Sequence, residues 1–139
     1  MAEGDEPLEF ATFIGAAEDV SIERLALYIP SKDRSGNLIV QEQWIERGMR
    51  LLAEIGGGAT RLPVEGIWKD GEKYLEESVM QIYTFLDPDK FYEHLNELRE
   101  FLHSMGEETK QGEVVIELRN RLYKIREFAP TGITKIDPP

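Results

Sequence analysis

Leu25, Leu27 and Ile29 alternate with Arg24, Ala26 and Tyr28. This is the two-residue period of a strand with one face buried, and it predicts a first strand over Ile22–Pro30. Pro30 stops it, and the polar run "SKDRSGN" reads as a turn. From Val40 the period lengthens: Trp44, Ile45, Gly48, Leu51, Leu52 and Ile55 recur at spacings of three and four, as a helix packed along one side requires. Gly56–Gly58 should end that helix by supplying a left-handed conformation.

A second strand is expected over Ala59–Trp68, with Leu62, Val64 and Trp68 on one face. Pro63 cannot donate to a ladder, so this strand belongs at an edge or carries a bulge. Gly66, two residues before Trp68, suggests a bulge or a close backbone approach. Lys69–Leu75 reads as a loop around the reversal signal Asp70-Gly71. Glu76–Leu86 mixes β-branched and aromatic residues and predicts a third strand. Asp87 can then cap a helix whose first position is Pro88. Its core stripe is Phe91, Leu95, Leu98 and Leu102, and Gly106 is its expected terminator. "EVVIEL" and "RLYKIREF" read as strands about a tight Arg119-Asn120 turn, or as one long bent strand, before an irregular tail.

This order, β-α-β-β-α-β with an extra C-terminal strand or hairpin, folds most simply into an antiparallel sheet with both helices on one face. The expected fold class is α+β, a ferredoxin-like sandwich spanning residues 21–128, between an acidic, partly disordered leader (1–20) and an irregular tail (129–139). One sheet face would stay uncovered. Tyr28, Trp68, Tyr83, Phe85 and Tyr123 are expected to supply it with aromatic rings, and a face of that kind finds a partner. Self-association through the sheet is therefore expected.

Charge changes this picture at one end. The net charge is -11, and residues 1–23 hold Glu3, Asp5, Glu6, Glu9, Glu18, Asp19 and Glu23 with no Lys or Arg. An acidic leader on a nearly neutral domain reads as a solvated tail. Its apolar island, Phe10, Phe13 and Ile14, is expected to dock on the domain or on a neighbouring subunit. The chain lacks the basic stripe that phosphate binding needs, so direct nucleic-acid binding is not expected. Its 41% apolar and 31% charged residues suit a globular domain, with no apolar run of membrane length. "MAEGDEPLEF" has neither a basic nor an apolar signal region, and the cytoplasm is the expected location. The absence of cysteine excludes disulfides, thiolate metal sites and cysteine nucleophiles.

The pieces "ALYIPSKDRSGNLIVQEQW", "GGGATRLPVEGIWKDGE", "EES" and "GEVVIELRNRLYKIREF" resemble a bacterial family, domain of unknown function 3574. The matching positions are Leu27 and Tyr28, Gly36, Trp44, Gly58 and Thr60, Gly66 and Trp68, and Glu76 or Glu77. The resemblance covers residues 25–128 and implies a ferredoxin-like fold, but it brings no activity. Ile29-Pro30 and the acidic leader depart from that family's pattern. A fainter similarity to CutA-like trimers lies in the central hairpin.

Little in the sequence points to catalysis. "GGGATR" lacks the Lys-Ser/Thr ending of a phosphate loop and follows a helix. Among Asp70, Glu72, Glu76 and Glu77, neighbours on a strand point to opposite faces. A carboxylate pair would therefore need a second strand, with Glu65 as the candidate. His94 and His103 sit nine positions apart on one helix and face opposite ways, so they cannot share a metal. No catalytic residue, metal or cofactor is expected. The candidate ligand- or partner-binding residues are Tyr28, Gly66, Trp68, Glu77 and Tyr83. The leading expectation is a non-catalytic, self-associating binding or accessory module with a possible protein partner, using the open face or the Gly66–Glu77 hairpin. The alternatives are a small-molecule binder or small enzyme with a site between the sheet and a neighbouring subunit, and an acidic inhibitor that mimics nucleic acid.

Overall fold

The structure, a computed structural model, describes residues 5–17 and 23–131. The elements run α1 (Asp5–Ile14), β1 (Arg24–Ile29), α2 (Glu42–Gly56), β2 (Thr60–Asp70), β3 (Lys73–Phe85), α3 (Pro88–Glu93), α4 (Leu95–Glu108), β4 (Val114–Leu118) and β5 (Arg121–Ile125). The five strands form one antiparallel sheet in the order β2-β3-β1-β4-β5. The first four strands follow the ferredoxin-like order, and β5 extends the β4 edge. The fold is α+β with α2, α3 and α4 packed on one face, as the periodicities require. Pro63 sits on β2, an edge strand, as its missing N–H leads one to expect.

The central strand β1 turns Leu25, Leu27 and Ile29 toward the helices, all fully buried. Against them pack Ile45, Leu52 and Ile55 of α2, Leu98, Leu102 and Met105 of α4, and Ile82 of β3. Gly48 lets α2 approach the sheet, since a Cβ there would lie 2.4 Å from Ile82 Cδ1. Gly57, at φ 84°, caps α2 and donates to the Ala53 carbonyl. Asp87 caps α3 as expected, its carboxylate accepting from the backbone N–H of Asp89 and Lys90. Arg119 and Asn120 both take positive φ, 54° and 62°. That is the geometry of a two-residue primed turn, so β4 and β5 form a hairpin and not one bent strand.

Several details differ from the sequence pattern. The helix after Asp87 breaks at His94, whose ψ of 12° leaves the helical region before α4 begins. Gly106 is not its terminator: α4 continues to Glu108, and Gly106 instead makes room for the Phe128 ring. The 69–75 loop contracts to Gly71-Glu72, because β2 and β3 stay paired out to Asp70 and Lys73. Tyr123 lies opposite Ile116 and so falls on the helix side of the sheet, not among the open-face aromatics. Residues 5–14 of the leader form a helix, and Phe10, Phe13 and Ile14 remain exposed instead of docking on the domain. Residues 1–4 and 18–20 of the leader, and the tail from 132, lie outside the described residues. Among the described residues no helix is long and apolar enough to cross a membrane.

The chain after β5 folds back on α4. His103 Nδ1 accepts the Ala129 N–H at 2.9 Å, and Arg99 donates to the Ala129 carbonyl at 2.9 Å. Desolvation, with a smaller push from the Arg99 charge, holds the His103 pKa below the ordinary 6.5. The unfolded chain therefore binds the proton more readily. This contribution is complete above pH 6.5 and declines as the pH falls from there through the folded value. Protonation at Nδ1 also abolishes the acceptor. Between pH 7.5 and 5 the Ala129 amide resonance should shift progressively and lose protection, and His103→Ala should remove that pH dependence.

Candidate functional site

Because Leu25, Leu27 and Ile29 face the helices, Arg24, Ala26 and Tyr28 face the uncovered side. Register carries that side across the sheet. Tyr28 stands opposite Gln81, and Ala26 lies between Tyr83 and Glu117. Gly66 pairs with Glu77, Trp68 with Leu75, and Val115 with Lys124. All five candidate residues, Tyr28, Gly66, Trp68, Glu77 and Tyr83, thus share the open face.

The structure gathers three of them into one hollow. Tyr28, Trp68 and Glu77 line a depression of about 440 Å³ with an apolar wall of Val79, Val115 and Leu122. Lys124, Gln111 and Glu113 complete its rim. Glu77 Oε2 is 3.4 Å from the Ser31 N–H, a long hydrogen bond that leans the carboxylate toward the loop after β1. Gly66 acts from beneath: a Cβ there would come 2.9 Å from Trp68 Cζ2, so the indole lies down across the strand. The group that comes close to Gly66 is thus a side chain of its own strand, not another stretch of backbone. No bulge accompanies it, since pairing with β3 is continuous.

Tyr83 does not line this hollow. Its ring lies under the Arg24 guanidinium, 4.4 Å from centroid to Cζ, and meets Phe85 edge-on at 6.0 Å. Glu65 stands opposite Ser78 and Glu76 opposite Ile67, which puts both on the other face from Glu77. Glu65 therefore does not pair with Glu77; it shares its face, and a shallow hollow, with Glu76 on the neighbouring strand. His94 Nδ1 lies 3.3 Å from Glu97 Oε1, while His103 is engaged with the backbone. Among the described residues no group of three or more His, Asp or Glu side chains is placed to hold a metal.

A second, more polar hollow of about 680 Å³ adjoins the first at Tyr28 and is lined by Glu23, Arg24, Gln81, Glu117, Arg119 and Asn120. Gln81, only 9% exposed, is its organising residue. Arg24 Nη2 donates to Gln81 Oε1 at 2.8 Å, and Gln81 Nε2 donates to the Tyr28 hydroxyl at 3.0 Å. Arg119 is hydrogen-bonded to Glu23, which raises the arginine's pKa. Sequence reasoning missed Arg24, Gln81, Glu117 and Lys124. One signal was present: Gln81 interrupts the apolar centre of β3 in the same alternation as Glu77, Val79 and Tyr83.

The fold and this face define an α+β protein with a ferredoxin-like sheet, one side helical and the other an open surface with two adjoining hollows. Two solved structures share the architecture. A phage SAM lyase in complex with S-methyl-5'-thioadenosine superposes with a TM-score of 0.56 and 14% identity, covering 80% of this chain and 95% of that one. A phage SAM lyase in the apo state gives 0.52 and 14%, covering 76% and 89%. At that identity the likeness is one of fold. No family model and no curated protein matches the chain.

Proposed function

We propose that this protein binds a small molecule of the adenosine class on its open sheet face. The observation that carries the reading is the convergence of Tyr28, Trp68 and Glu77 on one hollow of about 440 Å³, a volume within the range of small-molecule sites. A half-exposed indole beside an aliphatic wall suits a nucleobase, whose faces are apolar and whose edges are polar. The Glu77 carboxylate can accept from ribose hydroxyls or an exocyclic amine. The phage SAM lyase of the same architecture was solved with S-methyl-5'-thioadenosine, which makes that nucleoside the first ligand to try.

A ligand of about 20 non-hydrogen atoms, at about 0.3 kcal/mol each, gains about 6 kcal/mol, a Kd of tens of micromolar. Calorimetric titration with S-methyl-5'-thioadenosine should give that affinity, with a change in Trp68 fluorescence. No heat and no spectral change up to millimolar ligand would overturn the reading. Incubation with SAM, followed by chromatography, reads turnover, and release of the thionucleoside would make the protein an enzyme.

The exposed apolar tip of the β2–β3 hairpin favours a second reading, self-association or an accessory role with a protein partner. Ile67, Trp68, Tyr74 and Leu75 are all about half exposed or more. The hairpin also bears Glu65, Asp70, Glu72, Glu76 and Glu77 against Arg61, Lys69 and Lys73, whereas β5 bears Arg121 and Lys124 and no acid. We propose that the hairpin of one copy lies on β5 of the next. Light scattering should then find an oligomer that Arg121→Glu dissociates; a monomeric wild type refutes this arrangement. A cysteine-free chain needs no oxidising compartment, and the cytoplasm is its proposed location.

A further inference from the structure

The polar hollow offers a pair of opposite charges. Glu23 and Arg119 satisfy each other. Arg24 and Glu117 also line it, and among the described residues neither has an ion-pair partner. Arg24 is nonetheless held in place, with one N–H on Gln81 and its plane near the Tyr83 ring. A guanidinium has five N–H donors, so this clamp leaves most of them for a ligand. Glu117 is half-buried and stands directly across from Ala26, two residues along β1 from Arg24. Ala26 is itself fully buried, and Arg24 and Glu117 meet as lining residues of the same hollow of about 680 Å³. A held cation and a carboxylate lining one hollow complement an α-amino acid zwitterion, carboxylate to Arg24 and ammonium to Glu117.

Resting on the nucleoside reading above, we infer that the two hollows form one site for a nucleoside carrying an amino-acid chain. Tyr28 lines both hollows. Two strand residues span about 7 Å, so the step from Tyr28 to the level of Ala26 and Glu117 suits a chain of a few bonds. The nucleobase lies by Trp68, the sulfur and ribose pass Tyr28, and the amino-acid end reaches Arg24 and Glu117. Gln81, buried beneath the junction, ties the hydroxyl of Tyr28 to the guanidinium of Arg24 and so sets both ends in register.

The test compares two neutral thioethers that differ at the amino-acid end, S-adenosylhomocysteine and S-methyl-5'-thioadenosine. Neither carries a sulfonium charge, so attraction to an acidic protein does not bias the comparison. Titrated into the full chain, the first should bind at least about tenfold tighter, as a charge-assisted pair of contacts provides. Arg24→Gln and, separately, the near-isosteric Glu117→Gln should each bring that preference within about twofold. Rescue by Arg24→Lys should be partial, because an ammonium keeps the charge but loses the planar fork. Equal affinity of the wild type for both ligands overturns the inference and leaves the nucleoside reading standing. Equal loss of both ligands in both variants also overturns it, since the residues would then act only on the shape of the face. If the wild type binds neither, the nucleoside reading falls and takes this one with it.

Discussion

Trp68→Ala should weaken S-methyl-5'-thioadenosine binding by about ten- to a hundredfold while leaving the melting temperature within about 2 °C of wild type. The two halves of this expectation have separate causes. Stacking of a base on an aromatic side chain contributes about 1–3 kcal/mol, and Trp68 is the large ring of the apolar hollow. Stability is indifferent because Trp68 is 50% exposed on an edge strand and takes no part in the core. Surface substitutions of that kind stay within about 0.5 kcal/mol. Gly66→Val supplies a second route to the same result. Its Cβ would enter the space of the indole and tilt the ring off the strand, with every ligand-facing group retained. Unchanged affinity in both variants places the nucleobase elsewhere. A large fall in melting temperature makes Trp68 a packing residue.

The sequence exposed the fold where one physical demand acted on one residue. Leu25, Leu27 and Ile29 must be buried, so their alternation marked β1 to within two residues at each end. Asp87 followed by Pro88 has few uses besides opening a helix, and it opens α3. Where one residue type serves several demands, the reading went astray. A glycine near a helix end can cap it or clear space beside it. Gly57 does the first and Gly106 the second, and only the position of Phe128, 22 residues later, separates the cases. The break at His94 leaves the apolar spacing of Phe91, Leu95 and Leu98 almost unchanged, so periodicity could not register it. For the site, alternation put Tyr28, Trp68, Glu77 and Tyr83 on one face. Which of them meet depends on the register of β1 with β3 and β4, which the spacing within a strand does not contain. The Arg24–Gln81–Tyr28 chain of hydrogen bonds crosses two strands and was invisible for that reason.

Leu27→Ala should have the opposite signature, a large loss of stability with little change in ligand affinity. Leu27 is fully buried on the central strand, flanked by Ile82 of β3 and Ile116 of β4. No edge lies nearby from which the chain could collapse into the vacated space. Leu→Ala changes at such sites cost about 3–5 kcal/mol, from lost burial and from the cavity that remains. For a domain of this size that corresponds to about 10–15 °C in melting temperature. The neighbouring Tyr28 points the other way, and its partner Gln81 holds it from the open side. Ligand affinity measured well below the midpoint should therefore stay within about threefold of wild type. Gly48→Ala probes the same core from α2 with an inverted balance. Helix propensity favours alanine by about 1 kcal/mol, but the added methyl meets Ile82 Cδ1 at 2.4 Å and Phe101 Cζ at 3.0 Å. Overpacking of about 1–3 kcal/mol should prevail, giving net destabilisation where an exposed helical glycine would show a gain. If Leu27→Ala weakens binding as much as it weakens the fold, the coupling runs through the twist of β1. The shape of the hollows would then be set from the helical side of the sheet as well as from the open one.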